Sequence, residues 1–473
     1  MTDKTRRPIE FDARMSDADA LMWNLETDPI LRSTILSTWI LDRTPDLERF
    51  HAKLERATHI IPRLRQRVVA DPLGIAPPKW ETDPHFDLSF HVRRTRVPAP
   101  GTLRDLLDLA EPLAMQAFDK DRALWELHLV EGLEGGRCAV IMKLHHAISD
   151  GVGLVKMTEC LIERGPEDDR VLEAPTEAEV TVPATEPSAW DRIGEALAHR
   201  LRERGDRLGR IAATLRDNAA DIARNPLETI RQVRDTVASA GRVLAPASEP
   251  LSPIMRDRST RVHFEYLPVS LAELKRAGKA VDRSVNDAFV AGVAGALARY
   301  HEALGTPTDS LRMLMPVNVR GGDKANRAGN QFAPARFEVP VGIVNPAERI
   351  EAVGKLCRAQ RDEPALPWIE EITSVLGALP PVATVGLFGA MQKTTDFTTS
   401  NVPGPRRTTW MSGAKVEGFM PFGPLAGASV NATVFSYDGT MHIGINMDPA
   451  AVSDPALLLE CFHKAFDEVL AVV

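Results

Sequence analysis

Two strand-like segments joined by a pair of glycines constrain this fold more than any other feature of the sequence. Residues Leu124 to Val130 alternate apolar and polar side chains, and Gly135-Gly136 precedes a second apolar run, Cys138 to Leu144. Such a pattern around a glycine turn predicts an antiparallel β-hairpin. The second strand is followed at once by two histidines, His145 and His146. We therefore expect two adjacent imidazoles at the end of a β-strand.

The chain has 473 residues, which is longer than a single hydrophobic core usually extends. We predict an N-terminal lobe at residues 1–165, an acidic linker with amphipathic helices at 166–250, and a C-terminal lobe at 251–473. The first lobe includes a helix with apolar positions at helical spacing: Leu47, Phe50, Leu54 and Ala57. Another helix is expected after Gly151.

The C-terminal lobe also mixes strand and helix patterns. The segment "VHFEYLPVS" predicts a strand, and "SVNDAFVAGVAGALARYH" predicts a helix rich in small residues. The segment "VNATVFSYDGTMHIGINMD" predicts a hairpin with Asp438-Gly439 at its turn. A final helix is expected from about Pro455 to Leu470, with Asp454 as its N-cap.

Two segments bear on membrane contact. The stretch from Trp190 to Val243 has apolar residues at helical spacing and eleven arginines against eight acids, which fits a helix packed on its own protein or a helix on a lipid surface. The stretch from Ile372 to Gln392 carries no charge, but Pro380 and Pro381 interrupt it. A continuous membrane-spanning helix is therefore not expected there.

Composition narrows the class of protein. The hydrophobic share of 44% and charged share of 26% are those of a globular protein, and the net charge of -8 gives no reason to propose a nucleic-acid partner. The four cysteines have no CxxC spacing, which argues for a reducing compartment. The charged first 15 residues lack the apolar region of a secretory signal. We expect a cytoplasmic location.

The segment "HHAISDG" allows three interpretations. A shared metal is disfavoured, because neighbouring strand residues point to opposite faces and His145 and His146 cannot easily reach one ion. Ser149 or Asp150 could cap the following helix, with Gly151 serving the turn. Alternatively, one imidazole at the strand end could act as a general base. The spacing alone leaves the cap and the base open.

Other catalytic templates are missing from the sequence. No GxSxG motif indicates a nucleophilic serine, and no GxxxxGK[ST] motif indicates a phosphate-binding loop. A histidine base without a covalent nucleophile suits direct attack by a hydroxyl or amine on an activated acyl group.

The HHxxxDG pattern resembles the signature of the acyl-CoA-dependent acyltransferase superfamily, which includes chloramphenicol acetyltransferase and peptide-synthetase condensation domains. The surrounding "LWELHLVEGLEGGRCAVIMKLHHAISDGVG" resembles the bacterial wax ester synthase/acyl-CoA:diacylglycerol acyltransferase family. Further segments similar to this family follow in order: "PRLRQR", "FDLSFHVRR", "VNDAFVAGVAGAL", "MPVNVR", "GNQF", "SNVPGP" and "SYDG". The similarity extends over most of the chain and is weakest between residues 165 and 250.

The resemblance implies a mixed α/β fold of two chloramphenicol-acetyltransferase-like lobes with a tunnel between them. It implies transfer of a long-chain acyl group from acyl-CoA to diacylglycerol or a long-chain alcohol, with no metal or redox cofactor. The protein would work in the cytoplasm, with peripheral contact to the inner membrane face or to lipid droplets. Two alternatives stay open: a non-lipid small-molecule acceptor, or a non-catalytic lipid-binding homologue.

The resemblance also implies roles for single residues. His146 would be the general base, His145 a supporting residue, and Asp150 a structural brace in a salt bridge to Arg65, Arg67 or Arg320. Asn286 would donate to the oxyanion, beside Asp287, unless these two residues form a helix cap. Asn401 would be a further motif residue unless it only shapes a loop, and Trp125 is expected in the hairpin core.

The sequence departs from the family pattern at two places. Ala123 stands where the family commonly has proline before Leu-Trp, and Ile148-Ser149 replace the family's Leu-Val within the histidine motif. Neither change removes a catalytic group. Both could alter acceptor preference or efficiency.

Overall fold

The computed structural model describes residues 11–148, 158–168, 188–217, 249–318, 332–362 and 381–473. Within these ranges the helices are α1 (Asp17–Leu25), α2 (Leu47–Ile60), α3 (Leu88–His91), α4 (Leu103–Met115), α5 (Ala189–Asp217), α6 (Leu271–Ala280), α7 (Val285–Ala303), α8 (Pro346–Arg361), α9 (Pro381–Lys393) and α10 (Pro455–Leu470). The strands are β1 (Thr34–Leu41), β2 (Gln66–Val69), β3 (Lys79–Thr82), β4 (Val92–Arg96), β5 (Trp125–Glu131), β6 (Cys138–His145), β7 (His263–Ser270), β8 (Ser310–Asn318), β9 (Phe332–Pro340), β10 (Phe397–Pro403), β11 (Trp410–Met411), β12 (Ala414–Phe422), β13 (Val430–Tyr437) and β14 (Thr440–Met447).

The first large sheet has six strands in the order β11-β12-β1-β6-β5-β4. Strands β5 and β6 form the antiparallel hairpin that the sequence predicted. Gly135 and Gly136 in its turn have φ angles of 73° and 75°, which glycine adopts without the steric cost of a Cβ atom. On its other side β6 pairs with β1, where Thr34 lies opposite His145. The histidines therefore end an interior strand with neighbours on both sides.

The second large sheet has the order β7-β14-β13-β10-β8-β9. Strands β13 and β14 form the predicted hairpin, and Asp438 and Gly439 at its turn both have positive φ, 43° and 85°. This is the conformation of the tight turns that match the twist of a hairpin. The predicted strand "VHFEYLPVS" is confirmed as β7, which pairs with β14.

The helices cover the sheets through the apolar faces that their spacing predicted. In α2, Phe50, Leu54 and Ala57 are buried. The predicted small-residue helix is α7, in which a Cβ atom at Gly292 would come within 2.7 Å of Phe466 in α10. Small side chains are needed there because the two helices pack closely. The last helix begins where expected, with the Asp454 carboxylate accepting a hydrogen bond from the backbone N–H of Leu457 at 3.0 Å.

The two halves of the chain share a sheet. Strand β12 belongs to the C-terminal half of the sequence, yet it pairs antiparallel with β1, with Phe422 opposite Leu36. It also lies against β14 of the second sheet. There a Cβ atom at Gly444 would come within 1.7 Å of the Pro421 carbonyl oxygen, so only glycine allows this approach. Residues 410–422 thus belong to the first sheet, which the division at residue 251 did not anticipate.

Helix α4 of the first lobe closes the exposed edge of the second sheet at β7. The Glu111 carboxylate accepts a hydrogen bond from the N–H of Phe264 at 2.9 Å, and Arg104 donates to the Phe264 carbonyl at 2.7 Å. These side chains bind backbone groups that an edge strand would otherwise present to solvent. His263 joins this contact, with Nδ1 at 3.2 Å from Glu111 and Nε2 at 3.0 Å from Glu265.

The interface between the lobes therefore contains a charged imidazole. Hydrogen-bonding contacts with Glu111 and Glu265 raise the pKa of His263 to about 9 from its usual 6.5, against the lowering effect of burial. At neutral pH the His263 side chain is protonated. It contacts the carboxylates of Glu111 and Glu265, one from each lobe.

The described residues include only part of each of the two segments with possible membrane contact. The predicted amphipathic helix is α5, and residues 218–248 lie outside the described ranges. The uncharged stretch from Ile372 is described from Pro381, where α9 begins, so the helix there starts at the predicted interruption. Among the described residues, no helix is both long and apolar enough to cross a membrane.

Two predictions cannot be compared with the structure over their full length. The helix expected after Gly151 falls on residues 149–157, which lie outside the described ranges. Most of the acidic linker, residues 169–187, also lies outside them.

The contribution of His263 to stability should depend on pH. Its pKa is about 9 in the folded protein and 6.5 in its usual environment. Its stabilising effect is therefore complete below pH 6.5 and is lost as the pH rises through 9. We predict that His263→Gln lowers the melting temperature at pH 6, and that this difference from the wild type shrinks steadily and disappears above pH 9. Thermal unfolding of both proteins across this pH range measures it, and a constant difference at all pH values would contradict the prediction.

Candidate active site

His145 and His146 are fixed by backbone hydrogen bonds to both neighbouring segments. The N–H of His145 donates to the Leu124 carbonyl at 3.0 Å, next to β5. The N–H of His146 donates to the Ser33 carbonyl at 2.8 Å, just before β1. The chain then turns, because the N–H of Ile148 donates back to the His145 carbonyl at 3.0 Å. Three segments of the first lobe thus set the position of the histidine pair.

His145 is fully buried, and each of its ring nitrogens lies close to a polar group. Its Nδ1 accepts a hydrogen bond from the backbone N–H of Ala147 at 3.0 Å, and its Nε2 lies 3.0 Å from Oε1 of Glu26. The rings of Trp23 and Phe118 meet the imidazole edge-on, with centroids 5.6 and 6.1 Å away. His145 is therefore enclosed by aromatic rings and held against a carboxylate.

Glu26 is a site residue that the sequence did not reveal. It follows the last residue of α1, its side chain is 9% exposed, and its Oε1 also accepts a hydrogen bond from the N–H of Ser33 at 2.9 Å. Burial raises the pKa of Glu26, but the contacts with His145 and Ser33 and the charge of Lys120 lower it more. The net pKa lies below the usual value, so Glu26 is an ionised carboxylate at neutral pH.

His146 is the half-buried member of the pair. The two imidazoles therefore differ in burial. The role of His146 as a base remains a prediction at this point.

The predicted brace of the turn cannot be compared with the structure. Asp150, Gly151 and Arg320 lie outside the described residues. Of the candidate partners for Asp150, Arg65 makes an ion pair with Glu55 at 2.6 Å and its Nε donates to the Thr58 hydroxyl at 2.9 Å. The salt bridge of Asp150 therefore stays a prediction.

Trp125 lies in the hairpin core, as expected. Its side chain is buried, and its indole N–H donates to the Leu64 carbonyl at 2.8 Å. His91 stacks on it with ring centroids 4.7 Å apart, and the His91 Nδ1 lies 2.8 Å from the Trp125 carbonyl oxygen. The indole N–H and the carbonyl of Trp125 thus both have partners within the protein.

The structure brings Asn286 and Asn401 together from distant parts of the sequence. The Asn401 Nδ2 donates to the Asn286 Oδ1 at 3.2 Å. Asn401 lies within strand β10 rather than in a loop, so its alternative loop-forming role is wrong. The hydrogen bond places its side chain beside the first turn of α7. This contact uses the oxygen of the Asn286 amide and leaves its N–H groups for another acceptor.

The helix cap at the start of α7 is formed by Ser284 and Asp287. The Ser284 hydroxyl accepts from the N–H of Asp287 at 3.2 Å, and the Asp287 carboxylate accepts from the N–H of Ser284 at 2.9 Å. This reciprocal pair is a capping box. The cap interpretation therefore holds for Asp287 and is wrong for Asn286. The Ser-x-x-Asp spacing in the sequence was the signal that could have separated them.

A second buried charged group lies on β6 close to the histidines. Lys143 is fully buried, with its Nζ 3.7 Å from the Glu126 carboxylate and 4.4 Å from the centroid of Phe118. Burial lowers the pKa of Lys143, although the charge of Glu126 opposes this effect. Phe118 therefore contacts both Lys143 and His145.

A crevice between the two halves of the chain opens along the start of β1. Its walls include Arg32 and Thr34 from the first lobe and Phe264, Phe422 and Asn446 from the second half of the chain. Thr34 is the cross-strand partner of His145. The Asn446 Nδ2 donates to the Gly423 carbonyl at 2.9 Å. The crevice thus approaches the end of β6 along β1.

The described residues contain no group of three or more His, Cys, Asp or Glu side chains that could hold a metal ion. In the same part of the chain, the buried Ser252 hydroxyl lies 2.8 Å from Nε2 of His301. That hydroxyl also accepts hydrogen bonds from the N–H groups of Ile254 and Met255. Both side chains are fully buried, so this serine–histidine pair is a structural contact.

Comparisons with known proteins agree with this architecture. Residues 15–289 match the wax ester synthase/diacylglycerol acyltransferase catalytic domain, and residues 328–469 match the WS/DGAT C-terminal domain. A Mycobacterium tuberculosis protein provisionally named diacylglycerol O-acyltransferase is 37% identical over 467 residues, covering 97% of this chain and 93% of its own. A second protein of that organism with the same provisional name is 32% identical over 475 residues and covers 97% of each chain.

Solved structures share the fold. The wax ester synthase/diacylglycerol acyltransferase from Marinobacter aquaeolei VT8 superposes with a TM-score of 0.61 at 20% identity, covering 96% of this chain and 98% of the other. The first condensation domain of the calcium-dependent antibiotic synthetase superposes with a TM-score of 0.60 at 18% identity, covering 97% and 96%. These likenesses confirm the predicted mixed α/β fold.

The order of the sequence motifs, the two-lobe fold and both domain matches lead to one conclusion. The chain is an acyltransferase that belongs to the wax ester synthase/diacylglycerol acyltransferase family.

Proposed function

We propose that this protein transfers a long-chain acyl group from acyl-CoA to the hydroxyl of diacylglycerol or of a long-chain alcohol, with His146 as the general base. The observation that carries the proposal is the asymmetry of the histidine pair. His145 is fully buried, with the N–H of Ala147 on its Nδ1 and the Glu26 carboxylate 3.0 Å from its Nε2, whereas His146 is half-buried at the end of an interior strand. A general base needs a fixed position from which its ring can come within hydrogen-bonding reach of the proton that it takes.

The proposed reaction is a direct transfer. The acceptor oxygen attacks the thioester carbonyl carbon while its proton moves to the His146 imidazole, and a C–O bond forms in a tetrahedral oxyanion. The oxyanion then collapses, the C–S bond breaks, and the proton passes from His146 to the departing CoA sulfur. The products are an ester and free CoA. No metal or redox cofactor is needed, because the thioester is already activated and no electrons are exchanged.

Asn286 is the proposed donor to the oxyanion. Its Oδ1 is held by Asn401, which orients the amide so that its N–H groups point away from this contact. A neutral amide donates without titrating, and one such donor is worth about 3 kcal/mol of transition-state stabilisation. Asp150 is proposed to brace the turn through a salt bridge rather than to touch the substrate.

The names of the relatives support the choice of acceptor. Diacylglycerol is the acceptor in the name of the mycobacterial relatives, and wax ester synthesis is in the name of the Marinobacter enzyme. The condensation domain shares the fold, which keeps a non-lipid acceptor as the second candidate.

Helix α5 supports a further part of the proposal, contact with a lipid surface. Trp190, Leu197 and Leu201 are 81%, 52% and 60% exposed, and their spacing of seven and four residues places them on one side of the helix. Arg200 on another side donates to the Ile75 carbonyl at 2.7 Å, and Glu195 binds Lys79 at 2.6 Å. The helix is therefore held to the protein while an apolar stripe faces outward.

An apolar stripe of this kind suits the interface of a membrane or a lipid droplet. Trp and Leu side chains partition into the boundary between headgroups and acyl chains. The exposed Arg204 lies near the same side of the helix, and each basic residue near an anionic surface adds about 1 kcal/mol of attraction. Contact with lipid would bring the protein to its proposed water-insoluble substrates.

The acceptor is tested with radiolabelled palmitoyl-CoA and purified protein. Dioleoylglycerol, hexadecanol, a short polar alcohol and a primary amine are offered separately, and the labelled product is separated by thin-layer chromatography. We expect labelled ester with dioleoylglycerol or hexadecanol and less than about a tenth of that amount with the polar acceptors. Product with the polar acceptors alone would favour the second candidate, and no product with any of them would contradict acyl transfer.

The base is tested by His146→Ala. General-base catalysis contributes about 10²- to 10⁴-fold, so kcat should fall by that factor while the melting temperature stays close to that of the wild type. His59→Ala removes an imidazole on α2 that contacts Glu55 and serves as the matched control with unchanged turnover. Wild-type turnover in His146→Ala would rule out the proposed mechanism.

Contact with lipid is tested by replacing the three exposed apolar residues of α5 with aspartate. The triple variant Trp190→Asp, Leu197→Asp and Leu201→Asp should lose most of its sedimentation with vesicles of phosphatidylglycerol and phosphatidylcholine, because it exposes charges to the apolar layer. Replacing Ala198, an exposed residue between them, by aspartate is the control. Equal sedimentation of all three proteins would contradict a role for this stripe.

A further inference from the structure

Glu26 contacts His145 directly, is linked to His146 through Ser33, and is used by no step of the reaction described above. Its Oε1 lies 3.0 Å from Nε2 of His145 and 2.9 Å from the N–H of Ser33. The carbonyl of Ser33 in turn accepts the N–H of His146 at 2.8 Å. One carboxylate oxygen therefore binds the side chain of one histidine and, through a single residue, the backbone of the other.

The contacts of His145 determine which ring nitrogen carries its proton. The Nδ1 accepts a hydrogen bond from the N–H of Ala147, and an atom that accepts in this way holds no proton. The single proton of a neutral imidazole is then on Nε2, which faces Glu26. A backbone donor on one side and a carboxylate on the other thus select one tautomer of His145.

The charge of the group follows from the same contacts. Glu26 is ionised, since His145, Ser33 and Lys120 lower its pKa against the effect of burial. With the proton of His145 on Nε2 alone, as the N–H of Ala147 on Nδ1 requires, the Glu26–His145 pair carries one net negative charge. It is enclosed by Trp23 and Phe118, so water screens it less than it screens a surface carboxylate.

Lys120 is the lysine whose charge acts on Glu26, and two further cations contact residues near the histidine pair. Lys120 is over the Trp23 ring at 4.4 Å, and Lys143 is 4.4 Å from the centroid of Phe118. Arg32 lies next to Ser33 and donates to the Met115 carbonyl at 2.5 Å. Each has its own aromatic ring or carbonyl contact, and none replaces Glu26 at Nε2 of His145.

We propose that Glu26 is a positioning residue that fixes the tautomer of His145 and supplies the negative charge against which His146 becomes protonated during acyl transfer. This inference rests on the proposed function, in which His146 is the base. As the acceptor proton moves to His146, its imidazole gains a positive charge one residue along the chain from His145 and one backbone link, Ser33, away from Glu26. An arranged negative charge stabilises that state more than the ground state and so accelerates the step.

The chain offers a matched control for removing a buried carboxylate. The Glu163 side chain is 2% exposed, makes an ion pair with Arg49 at 3.0 Å, and accepts the N–H of Gly413 at 3.0 Å. It lies by the turn between β11 and β12, at the end of the first sheet opposite to the histidines. Glu163→Gln therefore reports the cost in stability of losing such a group away from the reaction.

The test compares Glu26→Gln, Glu26→Asp and Glu163→Gln in the full chain, using palmitoyl-CoA and the better of dioleoylglycerol and hexadecanol. For Glu26→Gln we expect kcat to fall about tenfold, with KM for palmitoyl-CoA within about twofold of the wild type. The acid limb of its kcat/KM profile should move down by about one pH unit, because a factor of ten in proton affinity corresponds to one unit. Glu26→Asp should recover part of kcat, and Glu163→Gln should keep it.

A structural role alone would give a different result. It would lower the melting temperature of Glu26→Gln as much as that of Glu163→Gln and leave the pH profile in place, which would overturn the proposal. Wild-type kcat in Glu26→Gln would overturn it as well.

A second measurement does not depend on activity. In protein with ¹⁵N-labelled histidine, the ring resonances of His145 should show the proton on Nε2 in the wild type, and the His146 ring should lose its proton at lower pH in Glu26→Gln. A proton on Nδ1 of wild-type His145 would overturn the proposal even if Glu26→Gln does not fold. Acyl transfer missing from the wild type together with the expected ring resonances would reject the proposed function and leave the arrangement of the charges intact.

Discussion

The pairing of β1 with strands on both of its sides is the constraint on which the rest of the structure depends. On one side β1 binds β12, which comes from the C-terminal half of the chain, and on the other it binds β6, which carries the histidines. Ser33, just before β1, binds His146 through its carbonyl and Glu26 through its N–H. Buried backbone N–H and C=O groups need hydrogen-bond partners, so these contacts constrain the path of the chain. The same strand therefore joins the two halves of the chain and positions the histidine pair.

The two histidines differ because their surroundings differ. His145 has the environment of a buried polar core residue, with a backbone donor on Nδ1 and a carboxylate at Nε2. Such groups are stable in a protein interior only when their hydrogen-bonding capacity is satisfied. His146 is half-buried. The two adjacent imidazoles therefore differ in exposure, as is expected if only one of them is the proposed base.

Short-range patterns in the sequence predicted much of the fold. The β5–β6 and β13–β14 hairpins, the α2 and α10 helices and the Asp454 cap were all predicted correctly, because turn residues and apolar periodicity act over a few positions. The joining of β12 to β1 was not predicted, because it depends on residues almost 400 positions apart. Glu26 was missed for the same reason: nothing near it in the sequence marks a carboxylate that meets His145 across the fold.

The candidate site shows the same division between local and distant information. The adjacent histidines and their position at a strand end could be predicted, and the motif order gave the family. The partner of Asn286 could not, since Asn401 is 115 residues away. The confusion between Asn286 and Asp287 as helix caps was avoidable, because Ser284 stands at the capping distance from Asp287 alone. Local sequence patterns thus predicted the position of the histidine pair, whereas the contacts among the site residues depend on the tertiary structure.

The central claim is that acyl transfer takes place at His146, and one measurement tests it most directly. A crystal structure of the wild-type chain with a palmitoyl-CoA analogue, in which a methylene ketone replaces the thioester, would show where the acyl carbonyl binds. We predict that the carbonyl lies beside His146, with room for a hydroxyl within about 3 Å of the imidazole, and that its oxygen faces the Asn286 amide. A carbonyl bound away from His146, with the imidazole enclosed by other side chains, would contradict this mechanism.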